Sequence, residues 1–387
     1  MKASESNPNY PSKVREMTNY TIREIKKVCK DIGPRPSGEE NERKAQDYVA
    51  DSMSKVADSV VKEKFELHPK AFMGWVPLDV ILMTISIVLT LLSYFDVLPS
   101  ASTAFSVVSV VLTSLAIIFT FFEFLLYKKF LDPFFPKRET YNVVCTRKAA
   151  GETKRRIVFS GHIDSAYEWY FTHLGGGKLL TTMIALAFGA IAITLAASIV
   201  SFFDVPNGVR VTAIVVLFVC LIPILMCSMF VNWKLCVPGA NDNLTGVFAS
   251  MSVLRYMAAN DIRFENTEVV CVSMACEEAG LRGAKEYVKK HCGEDDVETV
   301  FVGTDTLRDF DDMGVYNKDM TGTVKLDKQA AAMVKHASDI AGYNLPYSSV
   351  FFGSSDAAAI QQGGMKAVAL AAMDPTCLLY TSPSPRD

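Results

Sequence analysis

Four apolar runs, at 72–95, 103–127, 179–203 and 211–231, interrupt an otherwise polar chain. Each reaches about 20 residues or more, the length needed to cross a bilayer. The third and fourth carry no charge. A soluble core helix of that length keeps a polar stripe, so the runs are read as two transmembrane hairpins rather than buried core. Pro77 and Asp79 shorten the clean part of the first run. Asp79 and Glu123 fall near the same end of the first hairpin, which predicts that both sit in the headgroup zone, where a charge costs little. Trp75, Tyr127 and Trp233 are expected at that interface, and Tyr94 at the opposite one.

An even number of spans returns the chain to the same side each time. Lys64, Lys70, Lys128, Lys129, Lys137, Arg138, Lys178 and Lys234 flank the spans on the side of the polar segments, whereas the two opposite loops offer only Arg210. The positive-inside rule then predicts an integral protein of the cell membrane with its polar domain in the cytoplasm. Residues 1–10 have no apolar core and do not read as a cleavable signal peptide. The nine cysteines include no CxxC pair, which suits reduced thiols. With a net charge of −3 and no basic patch interleaved with aromatics, no nucleic-acid partner is expected. The oligomeric state is not readable.

Between the spans the pattern alternates. Residues 18–56 read as two helices joined by a loop at Gly33-Pro34-Arg35-Pro36-Ser37-Gly38, followed by a strand at 60–65. Strands at 141–146 and 156–160, with a turn at Gly151, read as a β-hairpin. A helix opening at Asp242 or Asn243 carries Leu244, Val247, Met251, Leu254 and Met257 on one face. Strands at 268–275, 297–302 and 366–372 and helices at 280–290 and 326–341 complete the reading. This predicts an α/β fold with a mostly parallel mixed sheet flanked by helices and two inserted membrane hairpins. The corresponding segments are 1–70, 129–178 and 234–377 for the polar domain, 71–128 and 179–233 for the hairpins, and 378–387 as a tail.

Four acidic clusters follow the hydrophobic strands: Gly161-His162-Ile163-Asp164, Gly239-Ala240-Asn241-Asp242-Asn243, Cys276-Glu277-Glu278-Ala279-Gly280 and Gly303-Thr304-Asp305. Singly each has a bland explanation. Asp242 could cap its helix, Asp164 could sit in a turn, His162 could be a core histidine, and Glu277-Glu278 could begin a solvated helix. Together they place a histidine and carboxylates at the carboxyl ends of several strands, where open α/β sheets bind ligands. That donor set suits divalent metal, and adjacent glutamates allow one to bind metal while the other moves a proton.

These motifs, in this order, resemble those of the M28 family of zinc peptidases, which includes aminopeptidases and glutamate carboxypeptidases. The resemblance runs from about Thr18 to Asp374, interrupted by the hairpins. It implies two zinc ions, with Asp242 bridging, His162 and Asp305 completing one site and Glu278 binding the other. Asp164 would orient the histidine ring, and Glu277 would be the general base that takes a proton from metal-activated water. Ser355-Asp356 is similar to a family loop near the pocket, but Ala357 stands where a histidine is often found, and the pair is read as structural. His173, His291 and His336 match no ligand motif.

The family's last ligand is a histidine shortly after the final strand. Here Ala372-Met373-Asp374-Pro375-Thr376-Cys377 leads up to that place, and 378–387 contains no histidine. That end reads as adapter sequence joined to a truncated frame. The expectation is a chain that holds one zinc well and the second poorly, with little activity of its own, whereas a full-length protein would hold two. The leading reading is a membrane-anchored zinc exopeptidase, an aminopeptidase acting on short peptides. A carboxypeptidase of the same family, an inactive receptor-like relative and a transporter with a regulatory domain are the alternatives. The charge-free third and fourth spans disfavour transport.

Overall fold

The computed structural model describes residues 10–350 and 352–373. The expected foreign tail and absent last ligand fall at 374–387, outside the described residues. Along the chain come helices α1 (Tyr10–Asp31) and α2 (Glu40–Met53), strand β1 (Ser59–Leu67), helices α3 (Ala71–Tyr94) and α4 (Ser102–Phe119), and strands β2 (Arg138–Arg147), β3 (Arg155–His162) and β4 (Tyr167–Trp169). Helices α5 (Tyr170–Val200) and α6 (Asn207–Met226), strand β5 (Val231–Cys236), helix α7 (Gly246–Ala259), strand β6 (Thr267–Met274), helix α8 (Arg282–His291) and strands β7 (Glu298–Asp305), β8 (Met313–Asp319) and β9 (Val324–Lys325) follow. Helix α9 (Lys328–Ala341), strand β10 (Tyr347–Ser349), helix α10 (Asp356–Gln362) and strand β11 (Lys366–Ala372) end the described fold. These elements form two compact units, 1–69 with 137–168 and 233–387, and 70–136 with 169–232.

The first unit is built on a mixed sheet ordered β1-β2-β6-β3-β7-β11-β8-β10, with β9 on β8. β6, β3, β7 and β11 are mutually parallel, whereas β2 is antiparallel to β6 and β8 to β11. The parallel strands read as continuous apolar runs because both faces are covered. On one face α7 buries Val247, Met251 and Leu254 against Val143, Cys145 and Cys271. That is the face its sequence predicts. α9 packs Ala330 and Ala331 near Val302, Val315 and Val368.

The expected β2–β3 hairpin does not form, because β6 lies between the two strands. The connecting turn sends its donors elsewhere: Ala150, Gly151 and Lys154 N–H bond to the carbonyls of Phe264, Glu265 and Asn266, the segment leading into β6. The sheet gains a parallel β3–β6 ladder of eight residue pairs, from Arg155↔Thr267 to His162↔Met274. The helix expected from Asp242 also begins later. Residues Ala240–Thr245 form an irregular turn, with α7 regular only from Gly246.

Close backbone approach explains Gly161. A Cβ there would lie 2.3 Å from the Val247 nitrogen and 2.4 Å from the Gly246 carbonyl carbon, and backbone cannot swing aside as a side chain can. Gly161→Ala is therefore expected to destabilise the fold by at least ~2–3 kcal/mol and to displace His162, its neighbour. Thermal unfolding of the variant, together with its zinc content, checks this; unchanged values of both would show that α7 can retreat.

The second unit is built on four helices that overlap the four apolar runs, Ala71–Tyr94, Pro99–Leu125, Tyr170–Val200 and Asn207–Met229, the third interrupted by non-helical backbone at Gly175 and Gly176. Its polarity is reversed relative to a soluble bundle. Large apolar residues such as Ile81, Val111, Val219 and Ile222 are exposed, while hydroxyls pack inside. Ser86 meets Ser109 at 2.6 Å and Thr113 at 2.7 Å, and Thr90 meets Ser109 at 2.6 Å and Ser198 at 2.8 Å. Small hydroxyl residues let helices approach closely and bond across the seam. Asp79 and Glu123 are 7% and 0% exposed, so both carboxyl groups are covered by protein. Glu123 accepts the Leu131 N–H at 2.6 Å. Trp75 and Tyr94 are likewise buried, at 6% and 4% exposed.

Candidate metal centre

Because β6, β3 and β7 are adjacent and parallel, their carboxyl ends deliver three of the acidic clusters side by side. His162 is the last residue of β3 and Asp305 the last of β7. Glu277 and Glu278 lie in a tight turn after β6, where the Gly280 and Leu281 N–H groups return to the Glu277 carbonyl. The turn delays α8 to Arg282, two residues later than its sequence pattern suggests. Asp242 comes from the irregular turn before α7. Asn243 fastens that turn to β7 by donating to the Thr304 carbonyl at 2.9 Å and accepting from Gly246 N–H at 3.0 Å.

All the predicted site residues converge. His162 Nε2 lies 3.1 Å from Asp242, 3.8 Å from Glu277 and 4.0 Å from Asp305. Ligand atoms of His162, Asp242 and Asp305 fall within 4.8 Å of one another, as do those of His162, Glu277 and Glu278. Asp164 sits behind the ring, with its carboxylate 3.4 Å from Nδ1. It also accepts the Glu277 N–H at 3.1 Å, the Glu278 N–H at 3.0 Å and the Ser37 hydroxyl at 2.7 Å. One buried carboxylate thus fixes both the imidazole and the glutamate pair.

The electrostatics ask for positive charge. Burial, reinforced by neighbouring carboxylates, pushes Glu277, Glu278 and Asp305 well above the usual carboxylate range. Burial alone would lower the pKa of His162, but Glu277, Asp164 and Asp242 raise it well above the usual imidazole range. Burial would raise Asp164, yet its bonds to His162, Ser37 and the Glu277 N–H hold it below its usual value. Asp305 Oδ1 is buried with no hydrogen-bond partner. An orphaned oxygen among crowded carboxylates and one imidazole fits a divalent cation, and the N/O donor set suits zinc.

Two residues read from the sequence without a site role stand close to this cluster. Asp356, at the start of α10, is 5% exposed, and burial pushes its carboxyl up to about 7 while the charge of His162 pulls the other way. Its charge also contributes to raising Glu277. Its signal in the sequence is the likeness of Ser355-Asp356 to a family loop near the pocket. Arg35 is the other: fully buried, it donates to the carbonyls of Ile163 at 2.6 Å, Gly33 at 2.9 Å, Pro238 at 2.8 Å and Gly239 at 2.9 Å. It clips the loop after His162 to the loop before Asp242.

Residues 227–381 match the model of peptidase family M28. The fold is similar to that of the aminopeptidase from Aneurinibacillus sp. strain AM-1, with a TM-score of 0.52 at 13% identity over 95% of this chain and 87% of that one. The chain is M28 peptidase-like. A zinc aminopeptidase from Bacillus subtilis shares the fold equally, with a TM-score of 0.52 and 13% identity over 95% of this M28-like chain and 89% of its own. No curated protein sequence matches. The likeness is thus one of sequence to M28 peptidases over residues 227–381 and of fold to zinc aminopeptidases, and both support a metallopeptidase reading.

Proposed function

We propose that this chain is a two-metal aminopeptidase, fixed in a membrane by its four apolar helices and acting on short peptides from the cytoplasmic side. The observation that carries the proposal is the meeting of His162, Asp242 and Asp305 within 4.8 Å, with Glu277 3.8 Å from the same imidazole nitrogen. His162, Asp242 and Asp305 would hold one ion, and Asp242 with Glu278 would contribute to a second. Zinc, when bound, supplies positive charge that polarises a scissile carbonyl and acidifies water. Glu277 takes the proton of the attacking water and passes it to the departing amine as the C–N bond breaks. Asp164 keeps the base and the ring in register through the Glu277 N–H and Nδ1. Aminopeptidase is preferred to carboxypeptidase because both similar structures named above are aminopeptidases. Outward-facing valines and isoleucines around a hydroxyl-lined interior support the membrane placement. The lysine-rich flanks support the orientation.

The two ions should differ in strength. Only one ring nitrogen of His162 faces the carboxylates, since Nδ1 faces Asp164. The second position then draws only on carboxylates among the described residues. Metal analysis after dialysis is expected to give one retained zinc per chain, with the second appearing only in excess zinc. Aminoacyl reporter hydrolysis should vanish with chelator and return with zinc. Turnover indifferent to chelation would end the metallopeptidase proposal.

A further inference from the structure

The helical unit holds a polar spot that the proposed hydrolysis does not use. Trp75 and Asp79, one turn apart on the same face of α3, line a cavity with Thr120, Met183, Ala187 and Phe188. It offers about 70 Å³ to the centres of water-sized molecules, whereas a single water needs only ~10–15 Å³. Asp79 is 7% exposed; its Oδ2 accepts the Thr120 hydroxyl at 2.8 Å, and its Oδ1 has no partner. Trp75 is 6% exposed, and its Nε1–H has no acceptor. Buried polar atoms without partners are costly, and ionisable groups within apolar helices mark ligand sites.

The two unmet atoms define the missing group. One is an acceptor waiting for a donor, and the other is a donor waiting for an acceptor. An ammonium would satisfy Asp79 and leave the indole N–H facing a cation. A carboxylate would satisfy Trp75 and repel Asp79. A hydroxyl does both, and the remaining apolar wall calls for hydrocarbon rather than a chain of waters. We propose that this cavity binds a hydroxyl-bearing amphiphile, with its O–H donating to Asp79 Oδ1, its oxygen accepting from Trp75 Nε1, and its hydrocarbon lying among Met183, Ala187 and Phe188. The site is separate from the metal centre and does not depend on peptidase activity.

The test uses the full chain in lipid nanodiscs and tryptophan quenching by 3-bromoundecan-1-ol, whose bromine lies beside the hydroxyl end. Quenching should saturate. 3-Bromoundecane and 3-bromoundecanoate, which lack the hydroxyl, should bind roughly tenfold or more weakly, the weight of a hydrogen bond to a carboxylate. Asp79→Leu should weaken the alcohol by a similar factor. Asp79→Asn, which keeps an acceptor, should retain most of the affinity. Ala187→Phe should abolish binding by filling the cavity with Asp79 intact, and it stands as the second test should Asp79→Leu fail to fold. Equal saturation by the alkane, quenching that only tracks partition into lipid, or full binding by a folded Ala187→Phe variant would each overturn the proposal.

Discussion

Replacing Glu277 by Gln is expected to lower kcat/KM by ~10²–10⁴ while zinc content stays at the wild-type level. The amide matches the carboxylate in shape, so the turn after β6 and its bonds to Asp164 persist. What disappears is the capacity to take a proton. The raised pKa of Glu277, caused by burial and by Glu278, Asp356 and Asp305, suits a base that must release its proton again. Glu277 also lies within ligand distance of His162 beside Glu278, so the geometry leaves both glutamates near the ion. The paired variant separates their roles. Glu278→Gln should lose the more weakly held zinc, and Glu277→Gln should lose rate alone. Zinc loss in Glu277→Gln would reverse the assignment, and unchanged turnover would remove Glu277 from the chemistry.

The legible parts of this molecule are those that a single periodicity or a single strand end encodes. Twenty apolar residues in a row have few fates, and the four long helices lie close to where the hydropathy placed them. His162, Asp305 and the Glu277-Glu278 pair were legible because each closes or directly follows a hydrophobic strand, and adjacent parallel strands bring such ends together. Pairing was less legible. β2 and β3 look like a hairpin because the preference for β6 between them is written in turn bonds to 264–266, far along the chain. β8, β9 and β10 went unread, being short, half polar and stabilised by neighbours distant in sequence. The same limit hid the facing of Asp79, because a charge near a helix end carries no mark of which side it faces and only the packing of α3 turns it inward.

Arg35 is the clearest case of a residue whose weight lies in contacts that sequence does not show, and Arg35→Met is expected to be the most destabilising single change in the peptidase-like unit. Methionine keeps much of the apolar stem and loses every donor. The carbonyls of Gly33, Ile163, Pro238 and Gly239 would then lose the guanidinium N–H groups they accept. Two of the four bonds are only part-buried, and the Gly239 carbonyl also accepts the Leu244 N–H at 3.3 Å, so at ~1–3 kcal/mol per buried acceptor left unmet the total should be about 2–4 kcal/mol. In a unit of this size that corresponds to a fall in Tm on the order of 5–10 °C. Lysine should recover little, because a compact ammonium cannot reach acceptors spread around a planar fork. The loss should also reach function. Arg35 joins the Ile163 carbonyl, next to His162, to the Gly239 carbonyl, three residues before Asp242, so zinc affinity should fall along with stability. Thermal unfolding with and without zinc separates the effects: the stability loss should persist in chelator, and the gap between variant and wild type should widen when zinc is added. A variant with wild-type Tm in chelator would mean that water replaces the guanidinium and that the two metal loops stand without it.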